Sequence, residues 1–478
     1  MKKIMDGNEA CSYVSYNFTE VAGIYPITPA SPMAEFTDKW ANEGKLNYFG
    51  TPVKVVEMES EAGAAGMVHG SLQAGCMTST YTASQGLLLM LPNMYKIAGE
   101  LLPCVIHVAA RSLATHALSI FGDHQDIYAA RSTGFAFLAE SSPQQVMDLT
   151  AVSHLATIKG RVPFLNFFYG FRTSHELQKV EVIDTDKVKR LVDKKALAEF
   201  RERSLHPSHP VTRGTSENDD IYFQATEVRN KYYDALPDIV NDYMQEINKL
   251  TGKNYAPFNY YGAANATKVI IAMGSVSETI KETVDYLVAK GEKVGFVEVH
   301  LYRPFSSKYF LKSIPKTVEN IAVLDRTKEP GSSGEPLYLD VASIIKDVNK
   351  KISVVGGRYG LSSKNTTPSM IKAIYDNMGS LRHNFITGDA TDAYVQGYFQ
   401  YDSKKSGGVT ISHLRFSKNE IRSTYYVDKA KVVVCTEDAY LKKFDVLSSI
   451  EKNGTFILNT TKTKDEINSL FSKEMVNY

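Results

Sequence analysis

The chain is poor in cysteine. Cys11, Cys76, Cys104 and Cys435 lie far apart, and no CxxC pair occurs. That spacing excludes the usual zinc sites and Cys-ligated iron–sulfur clusters within the chain. Isolated cysteines with apolar neighbours suit a reducing interior, where they act as small core residues. Charge of one sign is also missing, because 54 Lys and Arg stand against 53 Asp and Glu, a net +1. Without a global field, neither nucleic acid nor an anionic membrane surface is an expected partner. No window approaches the roughly 18 uninterrupted apolar residues of a membrane span. The opening "MKKIMDGNEA" is basic, but neither an apolar h-region nor an Arg- and Ser-rich run follows. No secretory or organelle signal is therefore expected, and a cytoplasmic location is.

Phosphate-gripping motifs are absent too. Neither GxGxxG nor GxxxxGK[ST] is present, and no GDG with a downstream Asn occurs. The nearest fragment, "TGDATDAY" at 387–394, lacks the second Gly. The chain is expected to hold no Mg²⁺–pyrophosphate grip and no metal of its own. Internal repeats and low-complexity tracts are likewise not seen.

At about 150 residues per domain, 478 residues predict roughly three domains. The first part reads as α/β. The apolar runs "GIYPI", "MTSTYTA", "PCVIHVAA" and "RVPFLNFF" predict buried parallel strands. Helical patterns over 58–74, 85–101 and 142–158 separate them. Residues 200–222, polar with two His-Pro pairs, predict a loop or crossing arm, followed by a Tyr-rich helical stretch to about 250. A second α/β unit begins near 267, with Gly274-Ser275 as a structural turn and later strands at "NIAVLDR" and "KISVVGGRYG". "YDSKKSGGVT", 401–410, reads as a linker, and the strand–helix–strand pattern after it as the beginning of a third α/β domain.

"GIYPITPASPMAEF", Gly23–Phe36, sets prolines on both sides of Thr28. Proline fixes its own φ and drives the preceding residue out of the helical region, so Thr28 should be extended. Ser31 and Pro32 read as the N-cap and first residue of a helix. Further loops follow the predicted strands, at the usual ligand-binding edge of an open α/β sheet. In "KVVEMESEAGAAGMVHG", Glu57, Glu59 and Glu61 alternate, so on a strand they share one face, and the residues alone do not choose among them. Small residues after Glu61 allow close approach of a flat ligand. Ser84 in "TYTASQG" is a candidate helix cap. Arg111 follows an apolar strand directly and offers a planar fork for a small carboxylate; a structural salt bridge is the competing reading. His116, Asp123, His124 and Asp126 match no usual ligand spacing and read as a polar loop.

Taken together, "YPITPASPMAE", "SEAGAAGMVHG", "TYTASQGLLLMLPNMYKIAGELLP", "HVAARSLATHALSIFGDHQDIYAAR" and "FFYGFRTSHE" resemble the N-terminal domain of pyruvate:ferredoxin (flavodoxin) oxidoreductases. The likeness continues through "HPVTRGTSENDDIYFQ", "LYRPFS", "LDRTKEPGSSGEPLYLDV", "YGLSSKNTTPSMI" and "GVTISHLRFS". It implies a thiamine-diphosphate-enzyme-like parallel-sheet domain at 1–255 and a transketolase-C-terminal-like α/β domain at 256–402. An incomplete third α/β domain would occupy 403–478. In this family, thiamine diphosphate with Mg²⁺ decarboxylates pyruvate, CoA takes the acetyl group, and electrons pass through [4Fe–4S] clusters to ferredoxin or flavodoxin. The resemblance implies that Thr28 lies near the substrate, Glu61 contacts the aminopyrimidine and Arg111 binds pyruvate's carboxylate. It assigns CoA contacts to Ile411, Ser412, His413, Leu414, Arg415 and Lys443. The Mg²⁺ grip and clusters would lie in other domains or a complementary subunit. The chain, part of a homodimer, would then be inactive alone. Two other readings stand beside this one, a non-catalytic assembly module and a relative acting on another 2-oxo acid.

Overall fold

A computed structural model describes residues 1–348, 350–387, 394–401, 410–417 and 427–471. It divides into two units, Met1–Gly388 and Asp389–Tyr478. In the first unit the four apolar runs become parallel neighbours in a seven-stranded sheet. Its strands are β1 (Val21–Ile24), β2 (Lys54–Glu57), β3 (Thr78–Thr82), β4 (Cys104–Ala110), β5 (Ala136–Glu140) and β6 (Phe164–Tyr169). Their spatial order is β5-β6-β4-β3-β1-β2. Every residue of β4 and β6 is buried, which is why these strands are apolar on both faces and not alternating, with His107 and Asn166 as the buried polar exceptions. Leu301–Arg303 adds an antiparallel seventh strand beside β5, with Leu301 opposite Leu138.

Helices α1 (Ser31–Asn42), α2 (Glu61–Gln73), α3 (Ser84–Gly99) and α4 (Pro143–Gly160) follow β1, β2, β3 and β5. Each parallel connection carries the chain from the carboxyl edge of the sheet back to its amino edge. α4 lies almost wholly in the core, started by Ser142, whose hydroxyl accepts the Gln145 amide, and by Pro143. The arm at 203–218 runs between α5 (Lys194–Glu202) and α6 (Asp219–Glu227), and α7 (Asn230–Thr251) packs on α4.

A second sheet holds β7 (Phe258–Gly262), β8 (Lys268–Ala272), β9 (Val294–Val299), β10 (Asn320–Asp325), β11 (Ser353–Arg358) and β12 (Phe385–Ile386), in the order β12-β11-β10-β8-β9-β7. Only β7 runs antiparallel. Helix α8 (Val276–Ala289) connects β8 to β9, and Gly274 in the turn before it has φ +76°. Buried Glu298 on β9 ties this sheet to the first, accepting from Ser141 Oγ and, at 3.1 Å, from Gln145 Nε2, while Lys281 lies 2.8 Å away.

In the second unit, β13 (Tyr394–Tyr401) and β14 (Thr410–Ser417) pair antiparallel, Tyr401 opposite Thr410. Most of the expected linker, 402–409, lies outside the described residues; the strands on either side of it pair with each other. β15 (Ala430–Cys435) and β16 (Ile450–Leu458) pair parallel. The helix expected between them is reduced to a 3₁₀ turn at Asp438–Lys442. Asp445 accounts for the stop: its carboxylate takes the Leu447 amide at 3.2 Å and its carbonyl the Ser448 hydroxyl at 2.9 Å, local bonds that compete with a helix.

Candidate active site

Three local expectations are corrected at the carboxyl edge of the first sheet. Ser31 is not the cap of α1; Ala30 holds that position without a side-chain bond. Glu57, Glu59 and Glu61 do not share a strand face, because β2 ends at Glu57 and Ser60 caps α2, accepting the Gly63 amide at 3.2 Å. Glu61 becomes the first residue of the helix and is only 6% exposed, whereas Glu57 and Glu59 face solvent. Ser84 does not cap α3. It sits at φ +52°, gives its hydroxyl to the Ser112 carbonyl at 2.5 Å and its amide to Asp126 Oδ2 at 2.7 Å.

Arg111 leaves β4 directly and turns back to the loop after β1. Its Nη1 donates to the Thr28 carbonyl at 2.8 Å. The side chain is 8% exposed, and its Nε is buried with no partner among the described residues. Burial pushes the guanidinium below its ordinary value, opposed by the charge of Asp126. Thr28 itself is exposed, and the peptide to Pro29 is cis. Pro29 is anchored beneath it, its carbonyl accepting Asn8 Nδ2 at 3.0 Å.

Glu61 lies against the start of α3. A Cβ placed on Gly86 would stand 2.7 Å from Glu61 Oε1 and 2.7 Å from Thr82 Oγ1. The Thr82 hydroxyl is buried and unpartnered among the described residues. The structure thus bonds Arg111 to the Thr28 backbone and sets Glu61 at the end of β3, on the same edge of the sheet.

Asp126 was not singled out for this site from the sequence. It is fully buried and clamps two strand ends: Oδ2 accepts the amides of Ser84 and Arg111, at 2.7 and 3.0 Å, and Oδ1 that of Ile127 at 2.8 Å. Burial pushes its carboxyl up to about 7 against the pull of those amides. The polar-loop reading of 116–126 holds only for His116. Asp123 and His124 are buried, Asp123 accepting the Ser112 hydroxyl at 2.8 Å and the Ser362 amide at 3.1 Å.

Residues 13–245 match the pyruvate flavodoxin/ferredoxin oxidoreductase thiamine-diphosphate-binding family, 266–371 the pyruvate:ferredoxin oxidoreductase core domain II, and 380–474 the pyruvate ferredoxin/flavodoxin oxidoreductase family. The chain belongs to the pyruvate:ferredoxin (flavodoxin) oxidoreductase family. It is 54% identical to the pyruvate-flavodoxin oxidoreductase of Enterobacter agglomerans, over all of this chain and 45% of the relative. With the pyruvate:ferredoxin oxidoreductase of Moorella thermoacetica it shares 53% identity over 99% of this chain and 45% of that one. The pyruvate dehydrogenase [NADP(+)] of Cryptosporidium parvum is 48% identical over 98% of this chain and 27% of its own length. The chain thus spans less than half the length of these relatives. The Enterobacter alignment runs over 527 positions against 478 residues, so at least 49 internal positions of that relative have no counterpart here. A 2-oxoglutarate:ferredoxin oxidoreductase from Magnetococcus marinus shares the fold at a TM-score of 0.61 and 17% identity, over 79% of this chain and 65% of that one.

The family's expected CoA contacts fall in the second unit. Ile411, Ser412 and Leu414 are exposed on β14, while His413 and Arg415 are half-buried. His413 Nδ1 accepts the Val427 amide at 3.2 Å. Lys443 is exposed at the end of the 3₁₀ turn, in the connection between β15 and β16.

Proposed function

We propose that this chain forms the substrate and aminopyrimidine side of a thiamine-diphosphate site. The whole enzyme would oxidatively decarboxylate pyruvate to acetyl-CoA and CO₂, passing the electrons singly to ferredoxin or flavodoxin. The observation that carries this reading is Arg111, buried, bonded to the Thr28 backbone and still holding an unpartnered Nε. A guanidinium so placed binds a small carboxylate with two parallel bonds. Thr28, with its side chain in the open, donates its hydroxyl to the oxygen of the 2-oxo group as charge develops there. Glu61 holds a proton at the aminopyrimidine ring.

The residues fit that cofactor. Gly86 keeps a Cβ out of the space beside Glu61, and the orphan Thr82 hydroxyl offers a further polar contact. When bound, thiamine diphosphate supplies the carbanion stabilisation that lets a 2-oxo acid lose CO₂. Its Mg²⁺ grip and the [4Fe–4S] clusters belong to the rest of the enzyme in this proposal. Ser412, His413, Arg415 and Lys443 serve CoA's phosphates, with Ile411 and Leu414 beside them. Helix α6 buries none of its residues and leaves Ile221, Tyr222 and Phe223 exposed, in keeping with a covered surface in a homodimer. Four free thiols suit a cytoplasmic setting.

The test is reconstitution of this chain with the remaining domains. Thr28→Val, Glu61→Gln and Arg111→Ala should each lower pyruvate turnover by about 100-fold or more. A second reading, an assembly module without turnover, is favoured by the internal positions missing relative to the Enterobacter protein. On that reading the three variants would leave turnover unchanged. A relative acting on another 2-oxo acid would show the same losses with a different preferred substrate.

A further inference from the structure

On the opposite edge of the first sheet lies a cleft of about 260 Å³. It forms where α2 and α3 end, where the chain leaves α4, and where α5 passes into the arm at 203–218. Three arginines line it: Arg161, Arg203 and Arg213. Arg161 Nη1 donates to the Tyr232 hydroxyl at 2.9 Å, and its Nε is buried without a partner among the described residues. Arg213 Nη1 donates to Gln73 Oε1 at 2.5 Å and its Nη2 to the Arg203 carbonyl. The Arg203 guanidinium makes no hydrogen bond or ion pair among the described residues.

Glu100 is the one acid in the lining, and it is already engaged, by Lys96 at 2.8 Å and His69 at 3.1 Å. None of the three guanidiniums has a carboxylate within ion-pair distance among the described residues. Burial and the like charges of Arg161 and Arg213 push Arg203 below its ordinary value, opposed by the charge of Glu199. The simplest structural explanation is that arginines favour the carbonyl ends of helices. It accounts for their sign but not for their donors. Arg161 follows α4 and Arg203 caps α5, yet neither side chain bonds a carbonyl of its own helix.

We propose that this cleft binds a small phosphoryl dianion, held between the guanidiniums of Arg161, Arg203 and Arg213. Planar forks match phosphate oxygens, and a dianion supplies the directly paired counter-charge that none of the three guanidiniums has. Size narrows the class. Pockets for drug-sized ligands measure roughly 300–1,000 Å³, so this smaller cleft suits orthophosphate or a phosphomonoester end and not a whole coenzyme. Arg213 belongs to the arm, so an occupied cleft fastens the arm to α2 and α5. The inference does not rest on the thiamine reading, since the two sites lie on opposite edges of the sheet.

The test is calorimetric titration of the 478-residue chain with inorganic phosphate, and in parallel with glycerol 3-phosphate, against sodium chloride at matched ionic strength. Saturable phosphate binding, millimolar or tighter and absent with chloride, is expected. Equal binding of the monoester would identify the phosphoryl group as the recognised part; tighter phosphate binding would identify the free ion. Arg203→Gln should weaken binding at least tenfold with an unchanged circular dichroism spectrum, and Lys316→Gln, on the second half of the chain, should not. If Arg203→Gln does not fold, Arg213→Gln in the arm serves the same purpose. Phosphate should also slow tryptic cleavage at Arg213 in the native chain. No saturable binding to the native chain, or undiminished binding in the folded arginine variants, overturns the proposal.

Discussion

Gly86 leaves no room for a methyl group. Alanine there would press on Glu61 Oε1 and Thr82 Oγ1, each 2.7 Å from the new Cβ. Helix propensity would meanwhile gain, by up to about 1 kcal/mol. Gly86→Ala should therefore leave the melting temperature within a few degrees of native while thiamine diphosphate binding by the assembled enzyme falls at least tenfold; native affinity would remove Glu61 from the cofactor. Asp126 acts through others. Asp126→Ala removes both acceptor oxygens from the three amide donors of Ser84, Arg111 and Ile127. An unsatisfied buried group costs about 1–3 kcal/mol. Urea unfolding should show that loss, and because Arg111 is released from its clamp, KM for pyruvate should rise more than kcat falls. Neither residue announced its role in the sequence. "GDHQD" matches no ligand motif, and the clamp exists only because β3 and β4 are neighbours.

At the scale of strands and helices, four of the buried parallel strands were legible, whereas β5, equally buried, was not. β1, β3, β4 and β6 stood out as apolar runs because both faces of a parallel sheet are covered. β2, half exposed at the sheet edge, and Leu301–Arg303, which pairs with a strand some 160 residues away, carry no such signal. The alternation of Glu57, Glu59 and Glu61 misled because a capping serine interrupts the strand period. The joint between the two sheets, Glu298, was also invisible locally. Burial alone would raise its carboxyl, but Lys281, Ser141 and the nearby His300 hold it down to about 2. His300 is itself held low by burial, so Lys281 is the lasting positive partner near neutral pH. A carboxyl lowered on folding stabilises the fold fully above about pH 4.5, and that contribution is lost as pH falls through about 2. The shift corresponds to roughly 3 kcal/mol. Denaturant midpoints measured from pH 5 to pH 2 should fall more steeply for the native chain than for Glu298→Gln; parallel curves would place the acid sensitivity elsewhere.

For the whole molecule, the family resemblance was readable because many motifs follow one another in the expected order, whereas the fold of the second unit was only partly so. The chain holds one side of a proposed cofactor site and, among its described residues, no cluster of metal-ligating groups. Mixed with thiamine diphosphate, Mg²⁺, pyruvate, CoA and a redox dye, it should turn over nothing measurable alone. Assembled with the remaining domains it should reduce the dye. The most direct test of the shared rim is pyruvate kcat/KM for Arg111→Ala in that assembled enzyme. A fall of about 100-fold or more, carried mainly by KM and partly restored by added guanidinium, is the expected result. A value indistinguishable from the native enzyme would contradict the account.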